Sequence, residues 1–257
     1  MRGVTIETAA DIIDGLHLRN LTSFQSALDN VRNVVGSPLA GIDPLELVDT
    51  RPLCEAVNDL ISLDPETGER GNPKWGNLGR KFNVAISGSR DDFSHTHIND
   101  IGLQPVVNAE TGDPGFNVVL GGYMSIKRVA ESVHTDIWIK GDVVSVNTLC
   151  DSILEVFRDE GERKDRQKAR LMWLVESYGI DEFTSKIRSV MRDRGVESWG
   201  WQDMPEDDFE RRELLGVHDQ KQEGLKRVGV LVPAGRLSRH EARDIAGIAN
   251  KYSGGGE

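Results

Sequence analysis

Cysteine is nearly missing from this chain: Cys54 and Cys150 are the two among 257 residues, far apart and in no Cys-x-x-Cys arrangement. That excludes a disulfide framework, and it excludes an iron–sulfur cluster held by this chain alone, because a cluster needs about four thiolates. Each cysteine flanks or lies within an apolar stretch and reads as a buried, inert thiol. Aromatic residues are scarce at 6%, whereas glycine is plentiful at 27 residues. Such a composition suits a glycine-bent α+β protein rather than a disordered one. No apolar run approaches the roughly 18 residues of a membrane span. The amino terminus lacks a basic-then-apolar signal pattern, so a cytoplasmic address is expected. With a net charge of −11 there is no basic surplus for a general nucleic-acid binder. The length allows one large domain or two smaller ones.

What is present is more specific. Two apolar segments bounded by glycine, residues 77–89 and 115–128, carry the pattern of largely buried strands. Arg80 stands just before the apolar part of the first, and Lys127 just after that of the second. If the strands run antiparallel or as offset neighbours, both cations project over one sheet edge. Cations gathered at the mouth of a dry sheet favour an anionic ligand, whose binding offsets their desolvation.

Around these segments the chain reads as mixed. Residues 6–35 suggest two short helices, the second opened by a Thr22-x-x-Gln25 capping box, with Phe24, Leu28 and Val31 at helical spacing. Arg32 then falls near the carboxyl end of that helix, where a charge–dipole contact is the plain alternative to a ligand role. Residues 53–63 read as a helix and Asp64-Pro65-Glu66-Thr67-Gly68 as a turn. The pair His95-Thr96-His97 invites a metal, but two ligands are an incomplete site, and a loop that hydrogen-bonds carboxylates or backbone is favoured. From Val144 to Arg194 the pattern is helical, and the basic run at 163–170 reads as a solvated helix face ahead of a partner surface. Residues 197–213 read as an acidic linker. A strand at 228–233 and a helix opened by Ser238-x-x-Glu241 follow. They make half of a split βαβ unit, and the Gly254-Gly255-Gly256 turn leads toward a partner strand that the chain lacks, so the carboxyl end reads as cut.

Taken in order, these stretches resemble the ferredoxin-dependent nitrite reductases of the siroheme nitrite/sulfite reductase family. The likeness is carried by residues 21–33, by Pro38-Leu39-Ala40-Gly41-Ile42-Asp43-Pro44 and by Val48-Asp49-Thr50-Arg51-Pro52. It continues through residues 77–83, His97-Ile98-Asn99-Asp100, residues 115–128, Arg166-Gln167-Lys168, Gly216-Val217-His218 and Gln220-Lys221-Gln222. The resemblance implies an α+β fold with a mixed sheet flanked by helices. It places the tail of a first ferredoxin-like half-domain at 1–20, a siroheme-binding domain at 21–222 and the start of a second half-domain at 223–257. It further implies a siroheme joined to a [4Fe-4S] cluster, ferredoxin as electron donor, nitrite as substrate and ammonium as product, in a protein that is monomeric when complete. Arg80 and Lys127 match the cations over the distal face of the siroheme, and Arg32 matches an arginine beside its carboxylates.

Departures from the family pattern shape the expectation. Neither Cys54 nor Cys150 matches a cluster ligand, so the ligands are expected outside this chain, and the chain alone is expected to be inactive. Sulfite reductases place a second lysine where Val129 stands here. Fewer cations suit monoanionic nitrite better than a sulfite dianion, since an unpaired buried cation is costly. Assimilatory sulfite reduction and a non-catalytic siroheme- or anion-binding module are the alternatives.

Overall fold

In a computed structural model of the chain, residues 4–126 and 128–253 are described, and they fall into two compact units that divide between Glu210 and Arg211. The division comes earlier in the chain than the 222/223 boundary read from sequence. Lys127 and the terminal glycines lie outside the described residues.

The first unit is built on a five-stranded mixed sheet. In chain order its elements are α1 (Ile6–His17), β1 (Val31–Val35), α2 (Arg51–Ser62), β2 (Phe82–Ile86), β3 (Ile101–Val107) and β4 (Pro114–Leu120). A two-residue pair, β5 (Tyr123–Met124) and β6 (Val129–Ala130), precedes β7 (Val133–Lys140), α3 (Val143–Glu160), α4 (Leu171–Tyr178) and α5 (Ile180–Asp193). The strand order is β1-β2-β3-β4-β7, with β1, β2 and β3 parallel and the remaining pairings antiparallel.

Alternation along the strands decides what each face of this sheet does. Phe82, Val84, Ile86, Ile101, Leu103, Phe116, Val118, Leu120, Ile137 and Ile139 share one buried cluster with Leu53, Val57 and Ile61 of α2. Leu149, Ile153 and Phe157 of α3 and Phe183 and Ile187 of α5 complete that cluster. Burying each such side chain contributes about 1.5–3 kcal/mol, so this face holds the unit together. On the opposite face Gly102 has no room for a Cβ, which would meet the Thr96 carbonyl at 2.5 Å. There the loop at 92–99 lies directly on the sheet.

Several expectations need correcting. Residues 24–30 form turns and bends, not a helix, because Gln25 and Leu28 take φ of 64° and 67° and the β-branched Val31 enters β1 opposite Phe82. Thr22 Oγ1 accepts the Phe24 N–H at 3.0 Å, a local turn in place of a helix cap. The 115–128 segment is two elements: Gly121, at φ 87°, breaks it after β4. At Gly122 an added Cβ would lie 2.4 Å from the His97 carbonyl, so only glycine lets the chain turn here into β5. The basic run at 163–170 is a loop between α3 and α4. Residues 199–202 are no free linker. Trp199 and Trp138 exchange backbone hydrogen bonds, and Asn117 donates to the Gln202 carbonyl at 2.7 Å while accepting its N–H at 2.9 Å.

The second unit, Arg211–Glu257, pairs β8 (Gly216–Asp219) with β9 (Lys226–Gly229) antiparallel and ends in α6 (Arg239–Tyr252). The predicted capping box forms: Ser238 Oγ accepts the Glu241 N–H, and Glu241 accepts the Ser238 N–H at 2.7 Å.

Candidate functional site: a cationic sheet edge

The register brings the start of β2 and the end of β4 to one edge. Val84 pairs with Ile101, and Ile101 with Leu120, so Arg80 before β2 and the turn after Leu120 lie at the same end of the sheet. β2 and β4 are not neighbours, because β3 lies between them, yet they run antiparallel, one of the two arrangements that the sequence argument allowed. Lys127, assigned to this edge from sequence, lies outside the described residues.

Arg32 joins the same edge by a different route from the one expected. It sits in an irregularity of β1, between Val31 opposite Phe82 and Asn33 opposite Asn83. Such bulges re-aim a side chain. The guanidinium turns back to donate to the Leu28 carbonyl through Nη2 at 2.9 Å, using the left-handed turn that replaced the expected helix.

Two cations absent from the sequence reading complete the group. Lys81 forms no ion pair among the described residues. Its ammonium is held below the ordinary lysine range by burial first, and then by repulsion from Arg170, Arg32 and Arg80, with Asp100 pulling the other way. Arg170 is buried and faces the wholly buried Asp100, its Nε and Nη2 donating to the two carboxylate oxygens at 3.1 and 2.7 Å. Burial raises the Asp100 carboxyl, against the opposing pull of Arg170 and of the Asn83 N–H, which donates to Oδ2 at 2.8 Å. Asp29 is the other carboxylate, bridged to Arg166 and lying 3.6 Å from Arg80.

Among the described residues the basic groups Arg32, Arg80, Lys81, Arg166 and Arg170 gather at this edge, and the carboxylates ion-paired there are Asp29, with Arg80 and Arg166, and Asp100, with Arg170, in a chain whose net charge is −11. A concentration of like charge of this kind favours an anionic ligand. A hollow of about 400 Å³ beside α5 has no such excess: Asp136 and Asp181 face Arg188 and Arg192, and Arg188 is ion-paired to Asp136. The cationic edge is the stronger candidate.

The remaining sequence candidates separate from it. His97 Nδ1 lies 3.3 Å from Asp92, whose carboxylate also accepts the Thr96 N–H and hydroxyl; these bonds fasten the loop over Gly102. No group of three metal-ligating side chains occurs among the described residues. Burial pushes the Cys54 thiol up to about 11, with Asp49 adding to it, and the Cys150 thiol up to about 12, with Asp151 adding to it. Among the described residues no helix is long and apolar enough to cross a membrane.

Two signals for the missed residues were present. Lys81 directly follows Arg80, and Arg170 ends the basic run. Most of that run is exposed, although Arg163 donates to the Asn77 and Arg158 carbonyls and Arg166 pairs with Asp29; Arg170, paired with Asp100, is its buried cation. Lys164 and Lys168 remain exposed.

Comparison with known proteins bears on this edge. Residues 27–194 match the family described as the nitrite and sulphite reductase 4Fe-4S domain. The chloroplastic ferredoxin–nitrite reductase of Zea mays is 45% identical over 99% of this chain and 43% of its own length. The ferredoxin–nitrite reductase of Synechococcus elongatus is 43% identical over 99% of this chain and 48% of its own. The solved structure of the NirA protein of Mycobacterium tuberculosis superposes with a TM-score of 0.77 at 29% identity, covering 95% of this chain and 42% of that one. The chain thus spans less than half the length of the curated relatives it matches.

Proposed function

Since this chain belongs to the nitrite and sulphite reductase 4Fe-4S domain family, we propose that its cationic sheet edge is the siroheme- and substrate-facing part of a ferredoxin-dependent nitrite reductase. The reaction is NO2− + 6 e− + 8 H+ → NH4+ + 2 H2O, with electrons delivered singly by ferredoxin. The observation that carries this reading is the surplus of basic groups around Lys81. Siroheme bears eight carboxylates, and a planar guanidinium grips a carboxylate through two parallel bonds. Arg32, Lys81 and Arg80 therefore fit a polyacidic macrocycle by chemistry and by placement.

Siroheme with its cluster supplies the redox chemistry when bound. This chain supplies charge and position. Arg80 holds a nitrite oxygen and stabilises the charge that develops there as the N–O bond breaks, which pre-set donors do without reorganisation. Lys127 has the same assignment from the family resemblance. Lys81, next to Arg80 in the chain, adds its charge toward the macrocycle carboxylates, whose binding offsets the crowding of its ammonium. Arg32 anchors carboxylates. The cluster is proposed to be held by cysteines other than Cys54 and Cys150.

By this reading the siroheme-binding domain, read from sequence as 21–222, lies in the first unit up to Glu210, and the β8–β9 hairpin with α6 belongs to a ferredoxin-like half-domain. Nitrite is preferred to sulfite because position 129, on β6, is an exposed valine and adds no cation. The test is reduced methyl viologen-driven turnover by the siroheme-loaded holoenzyme carrying this chain, with nitrite and sulfite compared. Faster nitrite consumption is expected. Faster sulfite consumption overturns the substrate assignment, and siroheme uptake with neither turnover makes the chain part of a non-catalytic module.

A further inference from the structure

Arg170 is buried, yet its contacts reach the two segments that carry the assigned cations. Through Asp100 it holds the leading end of β2: Asp100 Oδ2 accepts from Arg170 and from the Asn83 N–H at 2.8 Å, two residues beyond Lys81. The Asp100 carbonyl accepts the Gly121 N–H at 2.8 Å, at the glycine pair where β4 gives way to β5. The Arg170 guanidinium also lies over the Tyr123 ring of β5, 4.8 Å from its centroid. The start of α4 continues that grip, since Met172 packs with Tyr123 and Ala130, and Arg128 is ion-paired to Glu176 above the Trp173 ring.

We propose that Arg170 is a positioning residue that clamps the Arg80–Lys81 end of β2 to the β5–β6 pair, whose connecting residues include Lys127 in sequence, and sets the field at Lys81. This rests on the reading of the edge as the substrate-facing site. A buried ion pair is weak evidence of stabilisation, because desolvation of the two charges offsets much of their attraction. The fork geometry has a purpose of another kind: one planar group engages both Asp100 oxygens and a ring face, which a lysine cannot do. Among the cations acting on Lys81, Arg170 exerts the largest repulsion. Removing it would therefore loosen two segments at once and make Lys81 hold its proton more tightly. Among the described residues, the charged groups that face Lys81 are Arg170, Arg32, Arg80 and Asp100.

The test uses Arg170→Met, Arg170→Lys and Asp100→Asn in the siroheme-loaded holoenzyme, with four readouts: siroheme per chain, nitrite kcat and KM, the pH profile, and hydrogen exchange of peptides covering residues 78–86 and 121–131. In Arg170→Met both peptides are expected to lose protection together, kcat per bound siroheme to fall by about tenfold or more, and the alkaline limb of the profile to move to higher pH. Arg170→Lys keeps the charge and loses the fork, so its pH profile should match the parent while its kcat falls. If Arg170→Met fails to fold, Arg170→Lys and Asp100→Asn carry the comparison, with both peptides again deprotected. A lowered melting temperature with unchanged kcat per siroheme and unchanged exchange at 78–86 assigns Arg170 to stability alone and overturns the proposal. Loss of nitrite turnover in the parent holoenzyme would instead count against the functional reading itself; the exchange readout still tests the clamp.

Discussion

Arg80 Nη1 stands 3.6 Å from Asp29 Oδ1, within ion-pair reach and beyond a hydrogen bond, while Asp29 is already engaged by Arg166. The Arg80 fork is therefore oriented by protein charge without its donors being used up. Replacing Arg80 by Met should lower nitrite kcat/KM by about 100-fold or more, the scale of losing one pre-set donor to developing charge. Arg80→Lys should recover little of this, since an ammonium cannot replace a planar fork. Steady-state kinetics normalised to bound siroheme checks both; a parent-like Arg80→Met removes Arg80 from the site.

Lys81 makes stability depend on pH with a definite sign. Its folded value is lowered from the ordinary 10.5. Between the two values the unfolded chain keeps a proton that the folded chain has released, so stability rises with pH across that window. Below it, the folded protein bears the strain of a charged, crowded ammonium. Urea melts of the parent and of Lys81→Met at a series of pH values should differ by that rising slope, with the parent gaining on the variant as pH increases. A bound anion favours charged Lys81, so anion binding should take up protons in the same window, as calorimetry in buffers of differing ionisation enthalpy would reveal. Parallel pH curves for the two proteins contradict the crowding.

Asn117 is fully buried on β4 and meets Gln202 with both ends of its amide. Asn117→Ala strands the Gln202 N–H and carbonyl, and should destabilise the first unit by about 1–3 kcal/mol. Denaturant unfolding measures this. A change below about 0.5 kcal/mol, the range of surface substitutions, would mean that residues 199–202 do not brace the sheet.

That contact also shows where sequence reading stopped. Strands β2 and β4 and helices α2, α3 and α6 were legible because each declares itself locally, through an apolar run, a stripe or a cap. Arg80 stood out because it breaks such a run at its start. Residues 22–30 misled because Phe24, Leu28 and Val31 keep helical spacing, whereas Gln25 and Leu28 adopt left-handed conformations and Val31 answers to Phe82, a partner distant in sequence. Arg170 and Asp100 are seventy positions apart, and nothing near either residue marks the pairing. Its neighbours in a basic run argued for solvent instead. Trp199 and Gln202 were hidden in the same way, inside an acidic stretch that looked like a linker.

The exposed remainder of the basic run offers a separate prediction. Arg163 and Arg166 are exposed but engaged with Asn77 and Asp29, and Arg170 is buried, so Lys164 and Lys168 are the exposed basic groups of the run proposed to meet an acidic ferredoxin. Reversing both to Glu should raise the ferredoxin KM several-fold, more at low salt than at high, and spare viologen-driven turnover. An unchanged ferredoxin KM moves the docking face elsewhere.

The most direct test is an experimental structure of the siroheme-loaded holoenzyme carrying this chain, with nitrite bound. The account predicts Arg32 and Lys81 within about 3 Å of macrocycle carboxylate oxygens and the Arg80 fork within the same reach of nitrite. A macrocycle seated elsewhere, with these three side chains facing water, would contradict it.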